Sequence, residues 1–122
     1  MYKVLLVYDD YSELTTVEFS LKKVGFDVIG IGSEFAVQDQ VLSFNPDVVI
    51  SCGKGSKVST IGVGKRLKEM LRWQGKSILI FPAGVKPNPQ DLIRTRMDMV
   101  LEAPVPTVRL ISVLAKLSGQ DE

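Results

Sequence analysis

Five short apolar runs alternate along the chain with longer stretches in which apolar residues recur every three or four positions. The runs are Lys3 to Val7, Asp27 to Ile31, Asp47 to Ile50, Ser77 to Phe81 and Asp98 to Leu101. Short, nearly continuous apolar runs suit strands buried on both faces, and the stretches between them carry the helical period. Leu14, Val17, Leu21 and Val24 predict a first helix, with Gly25 where a capping glycine belongs. A second opens at Ser33 or Glu34, turns Ala36, Val37, Val41 and Phe44 inward, and closes at Asn45-Pro46 because proline cannot continue it. Val63, Leu67, Met70 and Leu71 mark a third. A short, weakly patterned fourth follows Pro87-Asn88-Pro89 and includes Leu92 and Ile93. The fifth begins at Pro106, a favoured first-turn residue, presents Val108, Ile111, Leu114, Ala115 and Leu117, and ends at Ser118-Gly119.

Five strand–helix alternations without a break in composition predict one α/β domain built on a doubly wound parallel sheet. Such sheets bind ligands beyond the carboxyl ends of their strands, near the switch in strand order. Functional residues are therefore expected at Tyr8 to Tyr11, Ser51 to Ser56, Phe81 to Lys86 and Glu102 to Pro104.

Composition narrows the chemistry. With 122 residues, 45% of them hydrophobic and 24% charged, the chain suits a single compact domain. No apolar stretch approaches the roughly 20 residues of a membrane helix. The N-terminus runs into Val4-Leu5-Leu6-Val7 with no cleavage pattern, so the cytoplasm is the expected compartment. A single cysteine excludes an internal disulfide, and the lack of histidine removes the commonest general base and transition-metal ligand. The formal net charge is +1, unevenly spread. Residues 1–50 hold three basic and eight acidic side chains, a net −5. Residues 51–76 set Lys54, Lys57, Lys65, Arg66, Lys68, Arg72 and Lys76 against Glu69 alone, a net +6. That segment reads as a solvated helix face or as a surface recruiting an acidic partner; neither nucleic acid nor a membrane is expected.

Three features near the predicted strand ends bear on chemistry. Asp9 and Asp10 follow the first run, and two adjacent carboxylates read either as a weak magnesium site or as one helix cap beside one solvated acid. Cys52 stands just past Val48-Val49-Ile50 at the edge of the basic segment. Cysteine-type phosphatases carry arginine six residues after the nucleophile, where this chain has Val58, and no histidine is present to activate a thiol. Gly53, Gly55, Gly62 and Gly64, interleaved with Lys54, Lys57 and Lys65, resemble a phosphate loop in composition only. A Walker motif needs glycine where Ser59 stands and a hydroxyl where Arg66 stands. A basic loop able to take an anion on Lys54, Lys57 and Lys65 remains as an expectation.

Lys3-Val-Leu-Leu-Val-Tyr-Asp-Asp10, Lys22-Lys-Val-Gly-Phe-Asp-Val28 and Asn45-Pro-Asp-Val-Val-Ile50 resemble the first three strand regions of the CheY-like receiver domain of two-component response regulators. The similarity in element order covers nearly the whole chain. It implies a flavodoxin-like fold with strand order 2-1-3-4-5, a receiver-like domain over residues 1–118, and a tail or the start of a linker at 119–122. In that family an acidic pair after strand one holds magnesium and an aspartate after strand three accepts the phosphoryl group. A hydroxyl residue after strand four, an aromatic switch residue and a lysine in the strand-five region complete the relay.

Carried onto this sequence, the resemblance places Tyr8 and Asp9 on the acidic pair, or Asp9 and Asp10 after a one-residue slide. Cys52 falls on the acceptor, Pro82 on the hydroxyl residue, Ala103 on the lysine and Val100 on the switch residue, with Pro104 keeping the family's proline. Proline and alanine offer no donor and no charge, and a thiol is not the hard oxygen ligand magnesium prefers. The implied molecule is a pseudo-receiver and not an enzyme, binding magnesium weakly if at all. It would act on another signalling protein, on an output domain of its own chain or as a homodimer. The expected partner face joins the fourth helix, fifth strand and fifth helix, with Arg94, Arg96, Asp98, Glu102 and Arg109. The competing reading is a small-ligand or nucleotide sensor built on the basic region.

Overall fold

A computed structural model describes residues 1–119. The strands are β1 (Lys3–Tyr8), β2 (Asp27–Ile31), β3 (Val48–Cys52), β4 (Lys76–Phe81) and β5 (Met99–Glu102). They are joined by helices α1 (Tyr11–Lys23), α2 (Val37–Phe44), α3 (Thr60–Lys68), α4 (Pro89–Leu92) and α5 (Thr107–Leu117). A 3₁₀ turn at Glu34–Ala36, capped by the Ser33 hydroxyl, leads into α2. All strand pairs are parallel, in the order β2-β1-β3-β4-β5. This is the doubly wound, flavodoxin-like α/β sheet expected.

Period-two alternation divides the sheet between two cores. Val4, Leu6 and Tyr8 of β1 join Val48, Ile50, Ile78 and Ile80 in packing on Leu14, Val17 and Leu21 of α1 and Leu110 and Leu114 of α5. Leu5, Val7 and Val49 face the other way, onto Val37 and Val41 of α2 and Val63 and Leu67 of α3. Each fully buried aliphatic side chain contributes roughly 1.5–3 kcal/mol, so the β1 run alone is a large part of the core.

Several details depart from the sequence pattern, each for a local reason. Parallel pairing of Tyr8 with Cys52 carries both β1 and β3 further than their apolar runs, making Cys52 the last residue of its strand. β5 begins at Met99, because the backbone and carboxylate of Asp98 are already bonded to Ser77. Val24 lies past the end of α1 and is exposed, since Gly25 (φ 104°) reverses the chain and delivers Phe26 to the core instead. α3 stops at Lys68, so Leu71 is exposed and Trp73 is the residue that inserts. α4 is a single turn, which leaves Ile93 exposed. Pro106 is the cap of α5, not its first turn, and the resulting phase buries Leu110 while turning Val108 to solvent. Ser118 caps that helix and Gly119 follows in a left-handed conformation; residues 120–122 of the expected tail lie outside the described residues. No described helix is long and apolar enough to cross a membrane.

Candidate functional site

The carboxyl ends of β1, β3 and β4 open into a cavity of about 570 Å³ closed at the sides by α1 and the β5–α5 connection. It is lined by residues from all four of the segments predicted from topology, among them Tyr8, Asp9, Cys52, Lys54, Pro82, Ala103 and Pro104. Tyr8, Cys52 and Ile80 form its floor because alternate strand residues point to the α1/α5 side and these three are in register.

The two acids after β1 do different work. Asp9 lines the cavity, and its Oδ2 accepts a hydrogen bond from the Lys54 backbone N–H at 2.8 Å. Asp10 is the N-cap of α1: its Oδ1 accepts from the Glu13 N–H at 3.0 Å, satisfying one of the free donors of the first turn. Of the expected pair only Asp9 faces the cavity.

The loop after β3 is held by Thr60, which no motif in the sequence singles out. Buried Thr60 accepts from the Gly53 N–H at 3.0 Å through its Oγ1 and donates to the Ile80 carbonyl at 2.8 Å, pinning the loop to the end of β4. Glu34, which the helical pattern marks only as a possible helix start, holds the other side of the loop. Its Oε1 accepts from the Ser59 N–H at 2.8 Å and its Oε2 pairs with Arg66 at 3.4 Å, tying α3 to the turn before α2. A signal for both existed in the hydroxyl pair Ser59-Thr60 at a helix start and in the glycines beyond it. Gly62 and Gly64 are packing glycines: a Cβ at 62 would run into the Glu34 carboxylate, and one at 64 would lie 2.6 Å from the Thr95 Cβ. Neither lines the cavity.

The three lysines expected to share an anion are not gathered. Lys54 lines the cavity, Lys57 lies in the exposed loop beyond it, and Lys65 pairs with Asp91 at 3.5 Å. Val100 also lies apart, exposed on β5 beside a smaller pocket that includes Phe81 and Lys86. On the expected partner face Arg94, Asp98, Glu102 and Arg109 are exposed, although Asp98 and Glu102 accept bonds from the Ser77 and Gly84 N–H groups. Arg96 departs from that expectation. Its guanidinium lies over the Trp73 ring at 4.8 Å and donates to the Trp73 and Gly75 carbonyls, because the chain after α4 folds back onto the Trp73 turn.

Electrostatics make the floor of the cavity a poor place for an anion or a nucleophile. Burial first, then the charges of Glu13 and Asp9, push the Cys52 thiol up to about 11 from an ordinary 9.0, with Lys54 pulling the other way. Burial, then Cys52 and Glu13, raise the Tyr8 phenol. The low thiol pKa that a cysteine nucleophile needs is not met. A group whose folded pKa exceeds its unfolded value gives stability that is fully present below the unfolded pKa and is lost as pH rises through the folded one. Wild-type stability is therefore expected to fall relative to Cys52→Ala between pH of about 9 and 11, as followed by urea unfolding at stepped pH. At pH 8 Cys52 alkylation should run roughly two orders of magnitude slower than in the urea-unfolded chain, and equal rates would contradict a protonated, shielded thiol.

No family model and no curated protein sequence matches the chain. Solved structures do. The receiver domain of a Francisella response regulator superposes with a TM-score of 0.83 at 17% identity, over 100% of both chains. The Vibrio cholerae chemotaxis protein CheY4 gives 0.82 at 18%, covering 96% of this chain and 98% of that one. A response regulator receiver domain from Clostridium thermocellum gives 0.80 at 20%, covering 98% and 96%. The fold is that of a receiver domain. In a receiver the cavity described above is where magnesium and the phosphoryl group would be expected, and the donor set here does not fit the ion. Tyr8 and Cys52 bring no carboxylate, one Asp9 oxygen is engaged by the Lys54 N–H, Asp10 is turned to α1, and the exposed Glu13 is the one further acid on the lining. Among the described residues no group of three or more acidic or cysteine side chains is placed to hold a metal ion.

Proposed function

We propose that this chain is a receiver-type signalling module that works by protein contact and is not phosphorylated on aspartate. One observation carries the reading: Cys52, Pro82 and Ala103 converge on a single cavity at the carboxyl edge of a receiver sheet. At those positions phosphoryl transfer needs a nucleophilic carboxylate, a hydroxyl and an ammonium group. Their joint replacement removes the nucleophile and two of the groups that would meet the developing charge, while the surrounding sheet keeps its core. The reading assigns no catalytic residue. It leaves surface contact as the mode of action, with Arg94, Asp98, Glu102 and Arg109 on one available face and the basic segment on the other. A sensor built on Lys54, Lys57 and Lys65 has less support, because only Lys54 reaches the cavity and Lys65 is paired.

Beryllofluoride with magnesium mimics an acyl phosphate. Added to the 15N-labelled chain it is expected to leave the amide spectrum unchanged, both in wild type and in Cys52→Asp, since the acid alone restores neither the hydroxyl nor the ammonium. Saturable shifts at Asp9, residues 52–54 and Ala103 in the wild type would refute the proposal.

A further inference from the structure

The deepest polar group on the lining of this cavity is the Tyr8 phenol. Tyr8 is 3% exposed, lines the cavity, and its phenol makes no hydrogen bond within the described chain. The ring is buried but the oxygen is not among the sealed, unpaired polar atoms, so it opens onto the cavity, where a molecule from solution can bond to it. The volume of about 570 Å³ lies within the roughly 300–1,000 Å³ of small-molecule sites. Ile80, Pro82, Ala103, Pro104 and Val105 make most of the wall apolar, with the Ser12, Thr16 and Thr107 side chains at the rim.

Charge selects the class of ligand. Two carboxylates, Asp9 and Glu13, face one ammonium, Lys54. Asp9 has one oxygen engaged by a backbone N–H, and Glu13 is in no ion pair among the described residues. The upward push on the Cys52 thiol reports the same balance, Glu13 and Asp9 outweighing Lys54 at the floor.

We infer that this cavity is a binding site for a small organic cation, an apolar body bearing one protonated amine. The apolar body rests on Ile80, Pro82 and Pro104, and the ammonium donates to the Tyr8 oxygen and the Asp9 and Glu13 carboxylates. The inference goes beyond the reading of an unphosphorylated module: failure of amine binding leaves that reading intact, whereas beryllofluoride binding would remove the reading and, since it would occupy the same cavity, would be expected to compete with the amine.

The test titrates the 15N-labelled 122-residue chain with phenethylamine, 2-phenylethanol and 3-phenylpropionate, which share an apolar body and differ in charge. The amine is expected to shift the Asp9, residue 52–54 and Ala103 amides saturably below about 10 mM, at least about fivefold more tightly than the carboxylate. Glu13→Gln, a change at an exposed side chain, should bring amine and carboxylate close to parity, and Tyr8→Phe should weaken the amine severalfold with the spectrum still folded. The inference is overturned if the amine does not saturate, if the carboxylate binds as tightly, if shifts fall elsewhere, or if Glu13→Gln leaves the preference unchanged.

Discussion

Replacing Trp73 with alanine is expected to destabilise the fold by about 3–5 kcal/mol, the largest single effect anticipated here. The indole is 6% exposed and closes the core between α2 and α3 at the amino-terminal edge of the sheet. Its Nε1–H donates to the Pro46 carbonyl at 2.8 Å, and Arg96 lies over its ring at 4.8 Å while donating to the Trp73 and Gly75 carbonyls. Truncation would therefore open a cavity, leave a buried carbonyl unpaired and strip Arg96 of its platform. Trp73→Phe, which keeps most of the volume but loses the donor, should cost about 1–3 kcal/mol. Equilibrium urea unfolding decides the matter, and a loss below about 1 kcal/mol for alanine would show that Trp73 does not hold this edge together. The cavity beside Cys52 lies at the opposite end of the strands. A two-state loss of stability with unchanged amide shifts at Asp9 and Cys52 is thus expected.

Gly53→Ala should come next, at about 3 kcal/mol, and should disturb the cavity as well as the fold. A Cβ at residue 53 would overlap the backbone carbonyl of Val58, and Val58 is itself wholly buried in the α2/α3 core. Backbone cannot rotate away as a long side chain can, so the loop has to move. Moving it breaks the bond from the Gly53 N–H to Thr60 and, through Thr60, the link to Ile80 at the cavity floor. Gly55→Ala is the control: it has φ 100° and open space around it, so its cost should be the smaller one of left-handed backbone strain, about 1–2 kcal/mol, with the Asp9 and Cys52 amides undisturbed. Equal losses in the two variants, or an unshifted Cys52 amide in Gly53→Ala, would argue against a loop locked by close packing.

Much of the architecture was legible from residue pattern alone because strand and helix periods are local properties. Val4-Leu5-Leu6-Val7 can be buried on both faces only in a sheet covered on both sides, and Leu14, Val17 and Leu21 share one helical stripe wherever the helix docks. The positions of the cavity and of Cys52, Pro82 and Ala103 around it also followed, since the carboxyl ends of parallel strands must converge. Helix ends were less legible. Val24, Leu71 and Val108 are apolar residues in phase with their helices that the chain leaves outside, because caps and turns, not the apolar count, decide where a helix stops.

What the sequence by itself determined is the order of elements, the parallel sheet and the residue types Cys52, Pro82 and Ala103 that stand at the strand ends, all consequences of residue type at short range. Only the tertiary structure decided between Asp9 and Asp10, since a cap and a cavity-facing acid differ by where the next helix begins. It also separated Lys54 from Lys65, gave Gly62 and Gly64 to packing, drew Arg96 onto Trp73 and left the Tyr8 phenol facing an open cavity. Each of those depends on contacts between residues distant along the chain. The physical reason is the same in every case: a residue's charge and shape are written in its type, but its partner is set by the packing of elements that periodicity leaves unspecified.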